Sequence, residues 1–145
     1  MAEATEAGRD GEAAVLAGLD RLGSLLSAKD IAFVDEFAAS ADVRLIGSEA
    51  GEIAEGRVAI EALVRKLYAL PVSLGWEWAR RSASVAGTVA WVFAEGDVVI
   101  GRTGTVERVP YRMTGVLELD GGRWRWRQFH GSEPAAKAAA PRGPA

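Results

Sequence analysis

The stretch DGGRWRWRQFHGSEP, residues 120–134, indicates a tight turn, one two-sided strand and the only histidine of the chain at the end of that strand. Side chains alternate between the two faces of a strand. One face is therefore expected to carry Trp124, Trp126, Gln128 and His130, and the other Arg125, Arg127 and Phe129. A face with two indoles, an amide and an imidazole is typical of the wall of a partly polar cavity.

Upstream of this strand, the hydrophobic pattern changes once from a helical period to an alternating one. Apolar residues recur every three to four positions in three segments, which predicts helices at about 12–26, 28–39 and 57–69. A short strand is predicted at 43–46, before the third helix. After Pro71 the pattern alternates, which predicts strands near 74–85, 88–100, 106–119 and 123–131. Helices followed by an antiparallel meander predict an α+β fold with the helices on one face of the sheet.

Size, charge and composition exclude several classes of protein. The chain has 145 residues, a net charge of −3 and no cysteine. Its length fits one domain, predicted to span 12–134 between flexible tails at 1–11 and 135–145. An acidic chain lacks the basic face that nucleic acids require, and the lack of cysteine excludes disulfides and thiolate metal sites. No apolar run reaches the roughly 20 residues of a membrane span. We therefore expect no cofactor, no metal, no nucleic-acid or membrane partner, and a cytoplasmic location.

The strand over 111–119 bears on assembly. Tyr111, Met113, Leu117 and Leu119 share one face, whereas Arg112, Thr114, Val116 and Glu118 share the other. If the second face lines a cavity, the first face is an apolar outer surface that needs a cover, which predicts a homodimer formed through the sheet. The alternative is that the faces are reversed and the apolar set packs on the helices.

Several segments resemble the SnoaL-like branch of the nuclear-transport-factor-2-like superfamily, which includes ketosteroid isomerases, scytalone dehydratases and the association domain of calcium/calmodulin-dependent protein kinase II. The matching segments lie at 41–47, 51–52, 55–60, 90–91, 112–114 and 120–132. The resemblance implies a cone-shaped fold, in which a curved antiparallel sheet wraps three N-terminal helices around a pocket. It also implies that Trp124, Gln128, His130, Arg112 and Thr114 point into the cone and that the convex face of the sheet forms a dimer. Relatives often carry histidine at the position of Gln128, so a paired-histidine role is in doubt.

Two side chains are the candidates for catalysis. His130 has the right side chain for a general acid or base, and the alternative is a histidine that is merely hydrogen-bonded in the pocket or core. Arg112 could bind a carboxylate or phosphate through two hydrogen bonds, or it could pair with an inward Glu95 or Glu118. Enzymes of the resembled superfamily usually use a carboxylate for proton transfer, for which the candidates are Asp42, Glu95 and Glu118.

The aromatic side chains and their neighbours suggest where a ligand would bind. The candidates for substrate binding are Tyr68, Trp76, Trp91, Thr114 and Gln128, with core packing as the alternative role of the aromatic residues. The resemblance implies a small-molecule pocket protein that binds a hydrophobic, polycyclic or carboxylate-bearing metabolite. It could perform a cofactor-free acid/base isomerase, cyclase or dehydratase reaction. The alternative is a non-catalytic oligomerisation or ligand-sensing module similar to the kinase association domain.

Overall fold

The computed structural model describes residues 6–135 and contains helices and strands in the predicted order. A long first helix and a short 3-10 helix precede two short strands, and a second α-helix leads into four long strands. The elements are α1 (Glu6–Ala28), the 3-10 helix (Ile31–Glu36), β1 (Arg44–Ile46), β2 (Ile53–Glu55), α2 (Gly56–Tyr68), β3 (Ser73–Ala86), β4 (Val89–Arg102), β5 (Thr105–Asp120) and β6 (Arg123–Ser132).

The six strands form one curved sheet in the order β2-β1-β6-β5-β4-β3. The four long strands pair as antiparallel neighbours, as the sequence predicts. The sheet is not wholly antiparallel, because β1 pairs with β6 in the parallel direction. The helices cover one face of this sheet, so the fold is the predicted α+β cone.

Element boundaries differ from the predictions mainly in the first half of the chain. The first helix begins at Glu6, inside the predicted tail 1–11; residues 1–5 and 136–145 lie outside the described part of the chain. The predicted helix 28–39 is a short 3-10 helix, because the Asp30 carboxylate accepts the backbone N–H of Ala32 and the chain is extended again at Phe37. Within residues 6–135, no helix is long and apolar enough to cross a membrane.

The core lies between the helices and the inner face of the sheet. Its largest fully buried side chains are Trp126, Phe37, Phe129, Leu19, Leu22, Ile60, Met113 and Leu117. The predicted facing of β5 is therefore wrong: Tyr111, Met113 and Leu117 point toward the helices, and the alternative of reversed faces is correct. The helices supply the cover that these apolar side chains need, so no partner chain is required to bury them.

The opposite side of the sheet, here called the outer face, carries Trp91, Phe93, Arg112, Thr114, Val116, Gln128 and His130. These side chains alternate with buried ones along β4, β5 and the end of β6. Arg112, Thr114 and His130 are exposed, and Trp91 remains 51% exposed. The outer face thus combines an aromatic centre with polar neighbours.

One extra residue in β6 explains why the predicted face of this strand is wrong. Val116 pairs with Gln128 and the next residue, Leu117, pairs with Trp126, so Arg127 is inserted as a β-bulge. The insertion resets the alternation, and Trp126 and Phe129 are both buried while Gln128 turns to the outer face. Trp124, Trp126, Gln128 and His130 therefore do not share a face.

Ion pairs fix the 3-10 helix against its neighbours. Glu36 is only 4% exposed, and its two carboxylate oxygens bind Arg21 of α1 and Arg123 of β6. Arg125 donates to the carbonyl of Asp35 at 2.8 Å. A buried carboxylate is tolerated when it is paired in this way, and the pairing holds the 3-10 helix between α1 and the sheet.

Gly115 leaves the space that the Trp126 ring occupies beside the bulge, so a larger residue at position 115 should destabilise the fold. A Cβ at this position would lie 2.5 Å from the Trp126 ring and 2.9 Å from the backbone oxygen of Gln128. Gly115→Ala should therefore lower the free energy of unfolding by about 1–3 kcal/mol, as overpacked cores do. Urea denaturation measures the change.

Gly23→Ala is the matched control, because its Cβ would meet only the Trp76 ring at an ordinary 3.6 Å and alanine favours helix α1. This variant should be neutral or more stable than the wild type. Equal stability of the Gly115→Ala and Gly23→Ala variants would contradict the packing of Trp126 over Gly115.

Candidate functional site

A cavity of about 230 Å³ lies between the helices and the inner face of the sheet. Helical and loop residues form one wall and strand residues the other, and most lining side chains are apolar. The apolar lining residues are Leu26, Phe33, Leu45, Ile46, Leu63, Val64, Leu67, Leu70, Leu74, Trp76, Val98, Ile100, Val109 and Phe129. An apolar cavity with a few polar groups is the usual form of a small-molecule site.

Stacked rings form part of the strand wall. Trp76 of β3 lies against Phe129 of β6 with ring centroids 5.1 Å apart, and against Tyr111 of β5 at 6.5 Å. The planes of these pairs differ by 20° and 14°. Residues from three strands thus present one aromatic surface to the cavity, which suits a flat apolar ligand.

The Tyr111 hydroxyl is the polar group of this wall. Its side chain is 6% exposed, and the hydroxyl makes no hydrogen bond with any residue between Glu6 and Ala135. Gly131 lies directly against the hydroxyl, and a side chain at that position would overlap it. Burial, with smaller effects of the negative charges of Glu52 and Glu133, raises the pKa of this phenol well above its usual range. At neutral pH the group is therefore a protonated donor without a partner.

Carboxylates surround the entrance of the cavity, here called the acidic mouth: Glu49, Glu52 and Glu133. The Oε1 atom of Glu52 accepts the backbone N–H of Glu49 at 2.8 Å, and the Oε2 atom of Glu133 accepts the Ser48 hydroxyl at 2.6 Å. In each of these two carboxylates, only one oxygen accepts a hydrogen bond from a described residue. None of the three forms an ion pair with another described residue.

Tyr68 lines the helical side of the cavity but uses its hydroxyl elsewhere. The hydroxyl donates to the backbone carbonyl of Asp30 at 3.0 Å and lies 3.3 Å from that of Leu25. Burial and, secondarily, the nearby Asp30 carboxylate raise the pKa of Tyr68 to about 12. Its hydrogen bonds join the end of α2 to the turn after α1, so Tyr68 contributes its ring to the cavity.

The structure divides the predicted site residues into two groups. Tyr68 and Trp76 line the cavity. The other predicted residues lie together on the outer face, where the cross-strand register places Thr114 beside His130 and Gln128 two residues before His130. They are Trp91, Arg112, Thr114, Gln128 and His130. His130 and Arg112 are thus on the side of the sheet opposite the cavity, and their predicted catalytic roles stay predictions.

The three predicted carboxylates are engaged in ion pairs outside the cavity. Asp42 accepts hydrogen bonds from Ser40 and Arg127, which lower its pKa below the usual value of an exposed aspartate. Glu118 pairs with Arg127 at 3.1 Å, and Glu95 pairs with Arg80 at 3.1 Å. Arg112 forms no ion pair with a described residue, so its expected pairing with Glu95 or Glu118 is not observed.

Sequence reasoning missed the polar groups that line the cavity. Tyr111 was assigned to the opposite face, because the bulge in β6 and the cover supplied by the helices were not visible. Glu49 and Glu52 lie in the polar run 47–52, of which residues 47 and 51–52 enter the family resemblance without any functional role. No signal in the sequence identifies them, because the parallel pairing of β1 with β6 that brings this run to the cavity becomes apparent only in the fold.

Solved structures resemble this chain in fold at low sequence identity. An NTF2-like family protein from Streptomyces avermitilis, a proposed dehydratase, matches with a TM-score of 0.79 and 15% identity, covering 88% of this chain and 99% of that one. A ketosteroid isomerase-like protein from Erwinia carotovora matches with a TM-score of 0.69 and 17% identity, covering 86% and 96%. A proposed calcium/calmodulin-dependent protein kinase II association domain from Xanthomonas campestris matches with a TM-score of 0.67 and 20% identity, covering 84% and 87%.

At these identities the structures establish the fold alone. No curated protein matches the chain significantly in sequence. The family model of the SnoaL-like domain, however, matches residues 15–136, which include every strand, the 3-10 helix, α2 and the second half of α1. The match over residues 15–136, together with the cone-shaped fold, shows that the chain belongs to the SnoaL-like domain family.

Proposed function

We propose that the chain binds a hydrophobic small molecule in the cavity. The observation that carries this proposal is the largely apolar cavity with its aromatic wall, which also contains the Tyr111 hydroxyl, a group to which no described residue hydrogen-bonds. A polar atom of a ligand would hydrogen-bond to this hydroxyl in place of water. An apolar body against Trp76 and Phe129 would supply most of the binding free energy.

The size of the cavity limits the ligand. An engineered cavity of about 150 Å³ in another protein holds benzene, and drug-sized ligands occupy roughly 300–1,000 Å³. A cavity of about 230 Å³ therefore suits one or two rings. No arginine or lysine among the described residues lines it, so the carboxylate clamp expected of Arg112 has no counterpart there.

The same geometry supports a cofactor-free acid/base reaction of the isomerase, cyclase or dehydratase type. The Tyr111 phenol would donate to a carbonyl oxygen of the ligand and stabilise the negative charge that develops on it. A carboxylate of the acidic mouth, with Glu52 as the first candidate, would accept the proton from the neighbouring carbon. Glu52 is chosen because it lines the cavity, is half-buried, and has an Oε2 atom that accepts no hydrogen bond from a described residue.

A second function is assembly through the outer face. Trp91 is 51% exposed beside Val116, and Arg80 lies 5.1 Å from the centre of the Phe93 ring. A homodimer would cover these rings, with His130 and Arg112 as polar contacts around them. The likeness to a proposed kinase association domain favours this candidate. Dimer formation is compatible with an occupied cavity on the other side of the sheet. The cytoplasmic location stays a prediction.

The proposed binding can be tested with β-tetralone, a neutral two-ring ketone, whose affinity for the cavity is measured by isothermal titration calorimetry. Tyr111→Phe should weaken binding about tenfold, because one buried hydrogen bond is worth about 1.4 kcal/mol. The free energy of unfolding should stay unchanged or rise, because the variant removes an unpaired hydroxyl.

Val109→Trp should abolish this binding by filling the cavity, and Val106→Trp is its control, because Val106 lies on the same strand and is 65% exposed. Equal affinity in the wild type and the Val109→Trp variant would place the binding site elsewhere and contradict the proposal.

The second prediction concerns proton transfer. In deuterium oxide, NMR measures the exchange of the protons beside the β-tetralone carbonyl. The wild type should accelerate this exchange, and Tyr111→Phe should slow the catalysed rate about a hundredfold, as loss of an oxyanion donor does. Glu52→Gln should slow it comparably, whereas Glu95→Gln should not. Binding without accelerated exchange would reduce the function to ligand binding.

The third prediction concerns assembly, measured by sedimentation velocity. The wild type should sediment as a dimer, and Trp91→Glu should sediment as a monomer, because a charge would replace the apolar centre of the contact. Val58→Glu on α2 is the control, because Val58 is 88% exposed away from the sheet. A monomeric wild type, or a Trp91→Glu variant that stays dimeric, would contradict the outer-face contact.

A further inference from the structure

All the described charged side chains that line the cavity are carboxylates, and all are therefore negative. The ionisable side chains that line it are Tyr68, Tyr111 and the three carboxylates of the acidic mouth, and none of the described lysine, arginine or histidine residues joins them. Elsewhere along the described chain many carboxylates are neutralised: Glu36 binds two arginines, and Asp42 and Glu118 share Arg127. The acidic mouth lacks such a partner.

Two of the three carboxylates are each held by a single hydrogen bond from the fold. Glu52 accepts one hydrogen bond through Oε1 from the Glu49 backbone, and Glu133 accepts one through Oε2 from Ser48. The second oxygen of each makes no hydrogen bond with a described residue. A carboxylate that is oriented through one oxygen can bind a cation through the other with little loss of side-chain freedom.

The Tyr111 side chain is a separate indication that a ligand binds at this end of the cavity. Its hydroxyl is a polar group on a side chain only 6% exposed, it lines the cavity, and no described residue hydrogen-bonds to it. It also lies within the electrostatic influence of Glu52 and Glu133. The unpaired hydroxyl and the two carboxylates therefore converge on one region.

The aromatic wall formed by Trp76, Tyr111 and Phe129 also favours a positively charged ligand. Trp76, Tyr111 and Phe129 line the cavity with their rings, and aromatic rings attract a nearby cation rather than an anion. An anionic ligand would instead meet three carboxylates and no counter-charge, which is costly in a largely apolar site.

We propose that the cavity selects hydrophobic amines in their protonated form, with the apolar body against the aromatic wall and the ammonium group at the acidic mouth between Glu52 and Glu133. This inference rests on the proposed function, because it assigns a substrate class to the same cavity. The oxygen of the Tyr111 hydroxyl accepts a hydrogen bond from the ammonium group, since an ammonium group can only donate.

The test uses ligands that differ only in charge. Naphthylmethylamine, naphthylmethanol and naphthoic acid share one apolar body, and the corresponding benzyl compounds form a smaller series, so that size does not decide the result. Calorimetry on the full chain at neutral pH should give an affinity for the amine about tenfold higher than for the alcohol, with the acid weakest. Added salt should weaken amine binding and leave alcohol binding unchanged.

Two variants locate the charge that selects the amine. Glu52→Gln and Glu133→Gln keep a carbonyl oxygen for the hydrogen bonds from Glu49 and Ser48, and each should reduce amine affinity about fivefold to tenfold without changing alcohol affinity. Glu61→Gln is the matched control, because it removes the same charge from an exposed position on α2 and should leave both affinities unchanged.

The outcomes separate this inference from the proposed function. If the alcohol or the acid binds as tightly as the amine, or if the preference survives in the Glu52→Gln/Glu133→Gln double variant, amine selection is overturned while ligand binding in the cavity stands. If no member of either series binds, the proposed function itself fails, and amine selection fails with it.

Discussion

The extra residue at Arg127 in β6 determines how the two sides of this sheet are used. Without it, strict alternation would place Trp126 and Phe129 on opposite faces, and the aromatic wall would lose one of its members. With it, both rings enter the inner side, and Gly115 on β5 leaves the space that the Trp126 ring occupies. The carbonyl of Trp126 accepts the backbone N–H of Ala38, so the residue next to the bulge also anchors the chain that follows the 3-10 helix. The cavity, the core and the outer face all depend on this single insertion.

Much of the fold could be predicted, because the spacing of apolar residues along the chain indicates which side chains are buried. The helical spacing of Val15, Leu19 and Leu22 placed α1, and the alternation after Pro71 placed the four long strands within two residues of their ends. Two features could not be predicted. The strand β2 has only three residues, too few for a pattern, and the bulge leaves no mark in composition. A register change of one residue reverses every side chain beyond it, so His130 and Gln128 were assigned to the wrong side.

The residues of the candidate site could be predicted only in part, and for a different reason. Tyr68 and Trp76 were predicted from their residue types, because aromatic side chains commonly line ligand pockets. Tyr111 was instead assigned to an outer surface, and Glu52 and Glu133 were overlooked, because their role depends on tertiary contacts. Glu52 comes from the loop after β1 and Glu133 follows β6, and these strands become neighbours only through the parallel pairing in the sheet. The sequence holds no local signal that these two carboxylates line the same cavity as Tyr111.

The central claim is that ligands bind on the helical side of the sheet, at Tyr111, and not on the outer face at His130. The chain offers a direct measurement, because it contains two tyrosines and one histidine. Both tyrosines line the cavity, and the histidine lies on the outer face. NMR on protein labelled with fluorotyrosine and with isotopically labelled histidine would follow both sides during one titration with naphthylmethylamine. A saturable shift of the tyrosine resonances, with the His130 imidazole resonance unchanged, is the predicted result. A saturable shift of His130 with both tyrosine resonances unchanged would contradict the account.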